Sequence, residues 1–432
     1  MYKNLQDKKV HIVTLGCKVN QYESDSMLEA LINEGCVRAE SDEPADIYII
    51  NTCSVTNMAD RKSRQMISRM RKQNESAIIA ATGCYVQAIG DELLKNTSVD
   101  LIIGNNRKKD APRILSEYIS EGTTSDSFID INSDCNYEDM SINMPENHTR
   151  AYMKIQDGCN NFCTYCIIPY VRGRIRSRKL SDILNEAATL AKNGVKEIIL
   201  TGINVSSYED GDFRIKDVIC RLSKTEGIER IRLSSLEPRI ISRDFLEAVS
   251  KLPNFCPHFH LSLQSACNKT LKAMNRHYTI EEYADSVKMI REYFDNPAIT
   301  TDIIVGFPGE TDEDFEDCYK HLEELELYEM HVFKYSRRKG TIADKMPDQV
   351  DEQIKTERSN QLLKLTAKQK KAFEELFNGT TQEVLIEEIV TKNDKKYLRG
   401  HTTRYILVDI PVNDHELSSA SEQINKLIEA RL

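Results

Sequence analysis

Short apolar runs alternate with helically spaced apolar positions along most of the chain. In the first part, runs at 10–15, 46–50, 77–81 and 99–103 are rich in Val, Ile and Ala, and each precedes a segment of helical period. That alternation predicts a parallel α/β domain over residues 8–120. Residues 121–148 are rich in Ser, Asp, Asn and Glu with little apolar periodicity and are read as a linker. A second series of strand-like runs follows at 152–156, 197–200, 231–234, 258–263, 300–305 and 331–335, separated by amphipathic stretches such as 184–192, 245–252, 283–294 and 315–325. Six such units over residues 149–376 predict an open, partial (β/α)6 barrel with its ligand site at the carboxyl ends of the strands. After a helical stretch at 352–377 the chain turns at Asn378-Gly379. Runs at 382–390, 397–399, 405–409 and 427–432 then predict a small β-barrel over residues 377–432.

The chain has 432 residues, enough for two to four domains at about 100–200 residues each. No apolar stretch approaches the roughly 18 residues of a membrane span, and residues 1–9 lack the apolar core of a signal peptide. A cytoplasmic protein without membrane contact is expected. Thiols stay reduced there, so the 12 cysteines read as ligands and small buried hydrophobes rather than disulfides. A formal net charge of -10 argues against indiscriminate nucleic-acid binding but leaves room for local basic faces.

The cysteines fall into two informative groups. Cys159, Cys163 and Cys166 lie in Asp-Gly-Cys-Asn-Asn-Phe-Cys-Thr-Tyr-Cys, just past the first run of the second series. An electron-transfer [4Fe-4S] cluster is normally held by four thiolates, so three leave one iron open to a substrate. A zinc knuckle or three unrelated buried cysteines is the alternative, and a knuckle needs a fourth Cys or His nearby. Cys17, Cys53 and Cys84 each follow one of the first three strand-like runs, in Leu-Gly-Cys-Lys, Asn-Thr-Cys-Ser and Thr-Gly-Cys-Tyr. In an open parallel sheet those ends share one edge. The three thiols can therefore meet, although each taken alone also reads as a strand-end core cysteine. A two-cluster electron-transfer protein would account for both groups.

The Cys159/Cys163/Cys166 spacing resembles the radical S-adenosylmethionine (SAM) superfamily. With the three strand-end cysteines and the tail, the chain resembles the tRNA methylthiotransferases of that superfamily. The resemblance implies two [4Fe-4S] clusters, one on Cys159, Cys163 and Cys166 and an auxiliary one on Cys17, Cys53 and Cys84. It implies SAM chelating the open iron of the first, with Thr201, Gly202, Ser234, Glu237, Gln264 and Asp302 at the strand ends around it. Cys36, Cys135, Cys220, Cys256, Cys267 and Cys318 match no ligand position. The tail looks like a TRAM domain, a small RNA-binding barrel, one strand short of its relatives. Three segments look like the bacterial branch acting on N6-threonylcarbamoyladenosine: Thr14-Leu-Gly-Cys-Lys-Val-Asn20, Tyr170-Val-Arg-Gly-Arg-Ile-Arg-Ser-Arg178 and the stretch from His331 to Thr341. The implied reaction attaches a methylthio group to adenine C2, an unactivated carbon that calls for cofactor-supplied radical chemistry. The runners-up are methylthiolation of isopentenyladenosine in tRNA and of a ribosomal-protein aspartate.

The implied partners are a tRNA anticodon stem-loop and a reducing electron donor such as flavodoxin or ferredoxin. Basic residues mark where RNA could lie. Arg61 and Arg64, with Ser68, Arg71 and Lys72, recur at helical spacing after Cys53. Arg172, Arg174, Arg176 and Arg178 follow the three-cysteine loop, and Arg337, Arg338 and Lys339 follow the last barrel run. All flank the presumed active edge, and phosphate contacts are expected of them.

Overall fold

The computed structural model describes residues 2–40, 43–95, 98–124, 127–132, 136–145, 149–412 and 420–432. The amino-terminal sheet is parallel, with spatial order Val37–Arg38, Lys9–Thr14, Ile47–Thr52, Ile78–Gly83, Leu101–Ile103. The four expected strands are present. The edge pair Val37–Arg38 is too short to show a period and forms because it extends the ladder beside Lys9 and Val10. Ile47–Thr52 is buried throughout, which is why it reads as a continuous apolar run rather than an alternating one. Register carries the functional consequence: Thr14 lies opposite Asn51, Asn51 opposite Thr82, and Thr52 opposite Gly83. Cys53 and Cys84 therefore leave the sheet side by side.

The second body has six parallel strands. Arg150–Asp157, Glu197–Gly202 and Arg230–Leu233 form one sheet with a short antiparallel strand, Arg176–Ser177, on its edge. His258–His260, Ala298–Val305 and Glu329–Lys334 form another. Isolated parallel bridges, Ile231 to Phe255 and Leu236 to Leu261, join the two into one curved wall. Helices Leu180–Lys192, Ile215–Leu222, Arg243–Ser250, Ile280–Tyr293 and Asp312–Leu325 cover its outside. The partial barrel is covered at one end of the wall by helix Glu352–Glu375, where the Thr366 hydroxyl accepts from the Met330 amide at 2.8 Å.

Helix Lys18–Asn33 of the first body packs on the barrel strands. Its buried Tyr22 donates to the Met140 carbonyl at 2.6 Å and lies 3.1 Å from Glu186 of the barrel. One hydrophobic core consequently runs from Leu5 through the barrel to Leu365. Past Glu121, which ends helix Ala111–Glu121, the described parts of 122–148 carry no helix or strand, yet Met140 and Ile142 are buried in that same core. Cys135 lies outside the described residues.

The tail is an antiparallel sheet ordered Leu407–Pro411, Lys395–Thr402, Thr381–Lys392, Leu427–Arg431, with its own small core around Val384, Ile386 and Leu398. It docks under the barrel, where Arg230 donates to Glu383 and to the His401 carbonyl, and Arg232 donates to the Thr403 carbonyl. Among the described residues no helix is long and apolar enough to cross a membrane.

Candidate active site

Gly158 ends the first barrel strand with φ +71°, and a Cβ there would sit 1.9 Å from the Arg174 carbonyl oxygen, so only glycine lets the loop turn back. The loop that follows is pinned at several points. The Cys159 amide donates to the Gly173 carbonyl at 3.1 Å, the Thr164 amide to the Met274 carbonyl at 3.1 Å, and the Asn275 side chain to the Asn161 and Phe162 carbonyls. Cys159, Cys163 and Cys166 then line one pocket of about 300 Å³. Arg276 donates to the Cys163 sulfur at 3.2 Å and to Glu237 at 2.9 Å, and Asn161 donates to the same Glu237 oxygen.

Three of the residues expected near the cofactor line this pocket: Glu237, Gln264 and Asp302. Gln264 is held at φ +73°, with its amide donating to the Asp302 carbonyl and its carbonyl accepting from Ile304. Such strain in a non-glycine residue persists where the surroundings over-determine it. Thr201 and Ser234 are buried in the wall, the Ser234 hydroxyl has no hydrogen-bond partner, and Ser235 faces the pocket beside it. Gly202 packs on Gln156, where a Cβ would meet the carbonyl oxygen at 2.9 Å, and the next residues, Ile203 and Asn204, line the pocket.

The second trio is assembled by close backbone approach. A Cβ on Gly16 (φ +107°) would lie 2.7 Å from the Cys53 Cβ, and one on Gly83 (φ +95°) would lie 2.3 Å from the Thr52 carbonyl. Asn20 holds the two loops together by donating to the Leu15 and Thr52 carbonyls. Arg172 donates through Nε to the Cys84 sulfur at 3.3 Å and through Nη2 to Asn20 at 2.5 Å. Val55 and Thr56, just past Cys53, line the pocket that holds Cys159, Cys163 and Cys166. The segment after Cys53 thus reaches the cavity of the first trio, while Cys17, Cys53 and Cys84 themselves lie behind its lining.

The basic run after the loop requires a correction. Arg172, Arg176 and Arg178 are buried and cannot serve as phosphate contacts. They belong to a network that joins the two bodies: Arg172 and Lys154 pair with Glu23 and Asp157, Lys108 pairs with Glu23, and Arg178 pairs with Glu186. Burial alone would raise the Glu23 carboxyl. Arg172, Lys108 and Lys154 override it and hold the group well below the usual carboxylate range. Arg338 is likewise buried, tied to Ser54 and Asp60. Arg174 alone of the run is exposed, over the Phe162 ring at 4.5 Å. On helix Asn57–Gln73, Ser63, Ile67 and Met70 face inward while Arg61, Arg64, Ser68 and Lys72 are exposed. Arg71 is engaged with Asp100.

The donor chemistry of both trios fits iron–sulfur clusters. Burial pushes the Cys53 thiol up to about 11 and the Cys166 thiol up to about 12, so without bound metal both stay protonated at neutral pH. Among the described residues, the three groups whose ligand atoms all lie within 4.8 Å of one another are His260, Asp302 and His331, and neither trio is that tight. A single zinc would draw its sulfurs to about 3.8 Å apart, given Zn–S bonds near 2.3 Å. Each trio also has one guanidinium donating to one sulfur, a counter-charge for an anionic three-thiolate site. Neither Arg172 nor Arg276 is recognisable as such from sequence.

A partial parallel barrel with an open three-thiolate loop at its carboxyl edge defines a radical SAM iron–sulfur enzyme, and comparison with known proteins agrees. Residues 153–322 match the radical SAM superfamily, and residues 9–104 match the uncharacterized protein family UPF0004. The fold is similar to that of the radical SAM methyltransferase TsrM from Kitasatospora setae, with TM-score 0.57 and 15% identity over 77% of this chain and 76% of that one. The threonylcarbamoyladenosine tRNA methylthiotransferase MtaB of Bacillus subtilis is 37% identical, covering 91% of this chain and 88% of that protein. The Aquifex aeolicus protein of the same name is 39% identical over 89% and 95%. A tRNA-2-methylthio-N(6)-dimethylallyladenosine synthase of Clostridium botulinum is 39% identical over 97% and 94%. The chain belongs to the radical SAM tRNA methylthiotransferase family, whose members use SAM and two [4Fe-4S] clusters.

Proposed function

We propose that this protein adds a methylthio group to C2 of N6-threonylcarbamoyladenosine just 3′ of the anticodon in tRNA. The observation that carries the reading is the cavity itself: the loop of Cys159, Cys163 and Cys166 walls it together with Val55 and Thr56, which follow Cys53, so a base held there has both bodies beside it. When bound, the clusters and SAM supply the electron, the radical and the sulfur-bearing site that functionalising an aromatic carbon requires. Cys159, Cys163 and Cys166 hold the SAM-binding cluster, and Cys17, Cys53 and Cys84 hold the auxiliary one. Arg276 and Asn161 fix Glu237 on the pocket wall, and Gln264 and Asp302 present polar groups toward SAM, with Ser235 beside the buried Ser234 and the Thr201-Gly202 turn behind Ile203. Ile203, Ile304 and Phe333 supply the apolar part of the lining.

The anticodon stem-loop approaches over Arg61, Arg64 and Arg174, and the carboxy-terminal module, residues 377–432, serves as a TRAM-like RNA-binding unit. A flavodoxin or ferredoxin supplies electrons, and the reaction takes place in the cytoplasm. The choice of base rests on the segments around Cys17, Arg172 and His331 and on the two relatives named for threonylcarbamoyladenosine. The dimethylallyladenosine synthases are as similar, so the test must separate the two. Total tRNA from a methylthiotransferase-free strain expressing this chain is digested and its nucleosides analysed by mass spectrometry. The 2-methylthio derivative of threonylcarbamoyladenosine is expected. Accumulation of the methylthio-isopentenyl product instead would overturn the assignment.

A further inference from the structure

Beside the cofactor pocket lies a second chamber of about 220 Å³, sharing Ser235 and Asp302 with it as common wall. Among its other lining groups are Lys18 from the helix start next to Cys17, His258 and His260 from the fourth barrel strand, His331 from the sixth, and Tyr405 from the tail. Three observations mark it as a ligand site. Among the described residues no carboxylate pairs with the Lys18 ammonium. The His258 ring is buried, stacks on Tyr405 with centroids 5.2 Å apart, and leaves its Nδ1 without any hydrogen-bond partner. Asp302 is the acidic group on the common wall, 3.3 Å from His260 Nε2, and the other chamber carboxylate, Glu329, is paired with Lys370.

An unpaired ammonium facing a cavity calls for an acceptor, preferably an anionic one, and the unpartnered His258 Nδ1 donates to the same acceptor in its Nδ1–H tautomer. A divalent cation on His260, Asp302 and His331 is disfavoured by the Lys18 charge and by Arg232, whose guanidinium lies over the Tyr405 ring at 4.8 Å. Given the substrate proposed above, on which this inference rests, we infer that the chamber receives the N6 substituent of the base. The threonyl carboxylate meets Lys18 and His258, and Asp302 accepts from an N–H or hydroxyl of the same group. The position suits the chemistry: Lys18 adjoins Cys17, so anchoring the substituent here turns the far side of the ring toward the cofactor pocket. Lys18 and His258 are thus specificity-determining residues that separate a carboxylate-bearing base from an apolar one, because an isopentenyl group would leave both unpaired.

The test uses cluster-reconstituted full-length protein and three anticodon stem-loop RNAs. One carries N6-threonylcarbamoyladenosine, one the same nucleoside with its carboxylate converted to a methyl amide, and one plain adenosine. Fluorescence anisotropy measures binding. The acid is expected to bind roughly 10- to 100-fold more tightly than the amide, the range of a charge-assisted contact. Lys18→Met should bring that ratio close to unity, Lys18→Arg should keep most of it, and His258→Phe should reduce it. Because each ratio compares two RNAs on one protein, a folding defect lowers both affinities and leaves the ratio intact. Equal affinity for acid and amide in the wild type overturns the inference, as does a full preference surviving in both Lys18→Met and His258→Phe. One equivalent of tightly held zinc that is lost in His260→Gln also overturns it. If the acid RNA is methylthiolated but binds no better than the amide, the chamber assignment alone fails. If the nucleoside mass spectrometry described above finds only the methylthio-isopentenyl product, the substrate reading fails with it.

Discussion

The two cysteine sites have the same composition and opposite construction. Cys159, Cys163 and Cys166 sit on one loop, pinned by its own barrel, and their guanidinium, Arg276, comes from that same barrel. Cys17, Cys53 and Cys84 are gathered from three strand ends, and their guanidinium, Arg172, reaches across from the other body while also binding Asn20 and Glu23. The first site is therefore a property of a loop, whereas the second is a property of how two bodies dock. Damage to the docking network should reach the auxiliary site first.

The largest effect is expected from Arg172→Met. Removing one partner of a buried charge network leaves the others uncompensated, a destabilisation of about 3–5 kcal/mol. Thermal unfolding should shift downward and iron held at Cys17, Cys53 and Cys84 should be released, with iron at Cys159, Cys163 and Cys166 retained. Arg276→Met should do the reverse at smaller cost, about 1–3 kcal/mol for the hydrogen bonds to Glu237 and Ser262. Its readout is a changed electron paramagnetic resonance signal of the SAM-loop cluster with the auxiliary signal intact. Similar outcomes for the two variants would erase the contrast.

A smaller effect concerns RNA. Replacing Arg61 and Arg64 by Ala should weaken tRNA binding and lower the slope of log affinity against log salt by roughly 0.7–0.9 for each phosphate no longer neutralised. Replacing the buried Arg176 should leave that slope unchanged, and a slope that moves with Arg176 would restore the run as an RNA face.

A further effect, confined to a pH window, arises at the domain seam. Burial raises the Glu138 carboxyl to about 7 from an ordinary 4.5, with Lys154 and Lys108 opposing. Between those values the folded chain holds a proton that the unfolded chain has released, so this group's stabilising contribution is full below about pH 4.5 and lost as pH rises through 7. Glu138→Gln should flatten that slope and gain about 1–3 kcal/mol relative to wild type at pH 8, measured by denaturant unfolding.

Much of this was legible in sequence where the signal is local or periodic. Gly158 and the cysteine spacing mark the SAM loop, and Gly16 and Gly83 beside their cysteines betray strand ends that approach closely. The expected strands matched to within a few residues because buried parallel strands read as apolar runs. The arginine run misled for a physical reason. Alternate arginines around a short edge strand look solvated, and the acids that pair with Arg172 and Arg178, Glu23 and Glu186, are remote in sequence or on another element. Arg276 sits in Met-Asn-Arg-His, which carries no motif. His258 and His260 passed as part of a barrel strand, because the chamber they line exists only once the wall has curved and the tail has docked.

The division of labour between the two sites is tested most directly by reconstituting the Cys17→Ala, Cys53→Ala, Cys84→Ala triple variant under anaerobic conditions. Wild-type protein should hold about eight irons per chain, four per cluster. The variant should hold about half of that, still cleave SAM reductively, and add no sulfur to tRNA. Retention of methylthio transfer, or loss of SAM cleavage together with iron at the intact loop, would contradict the account.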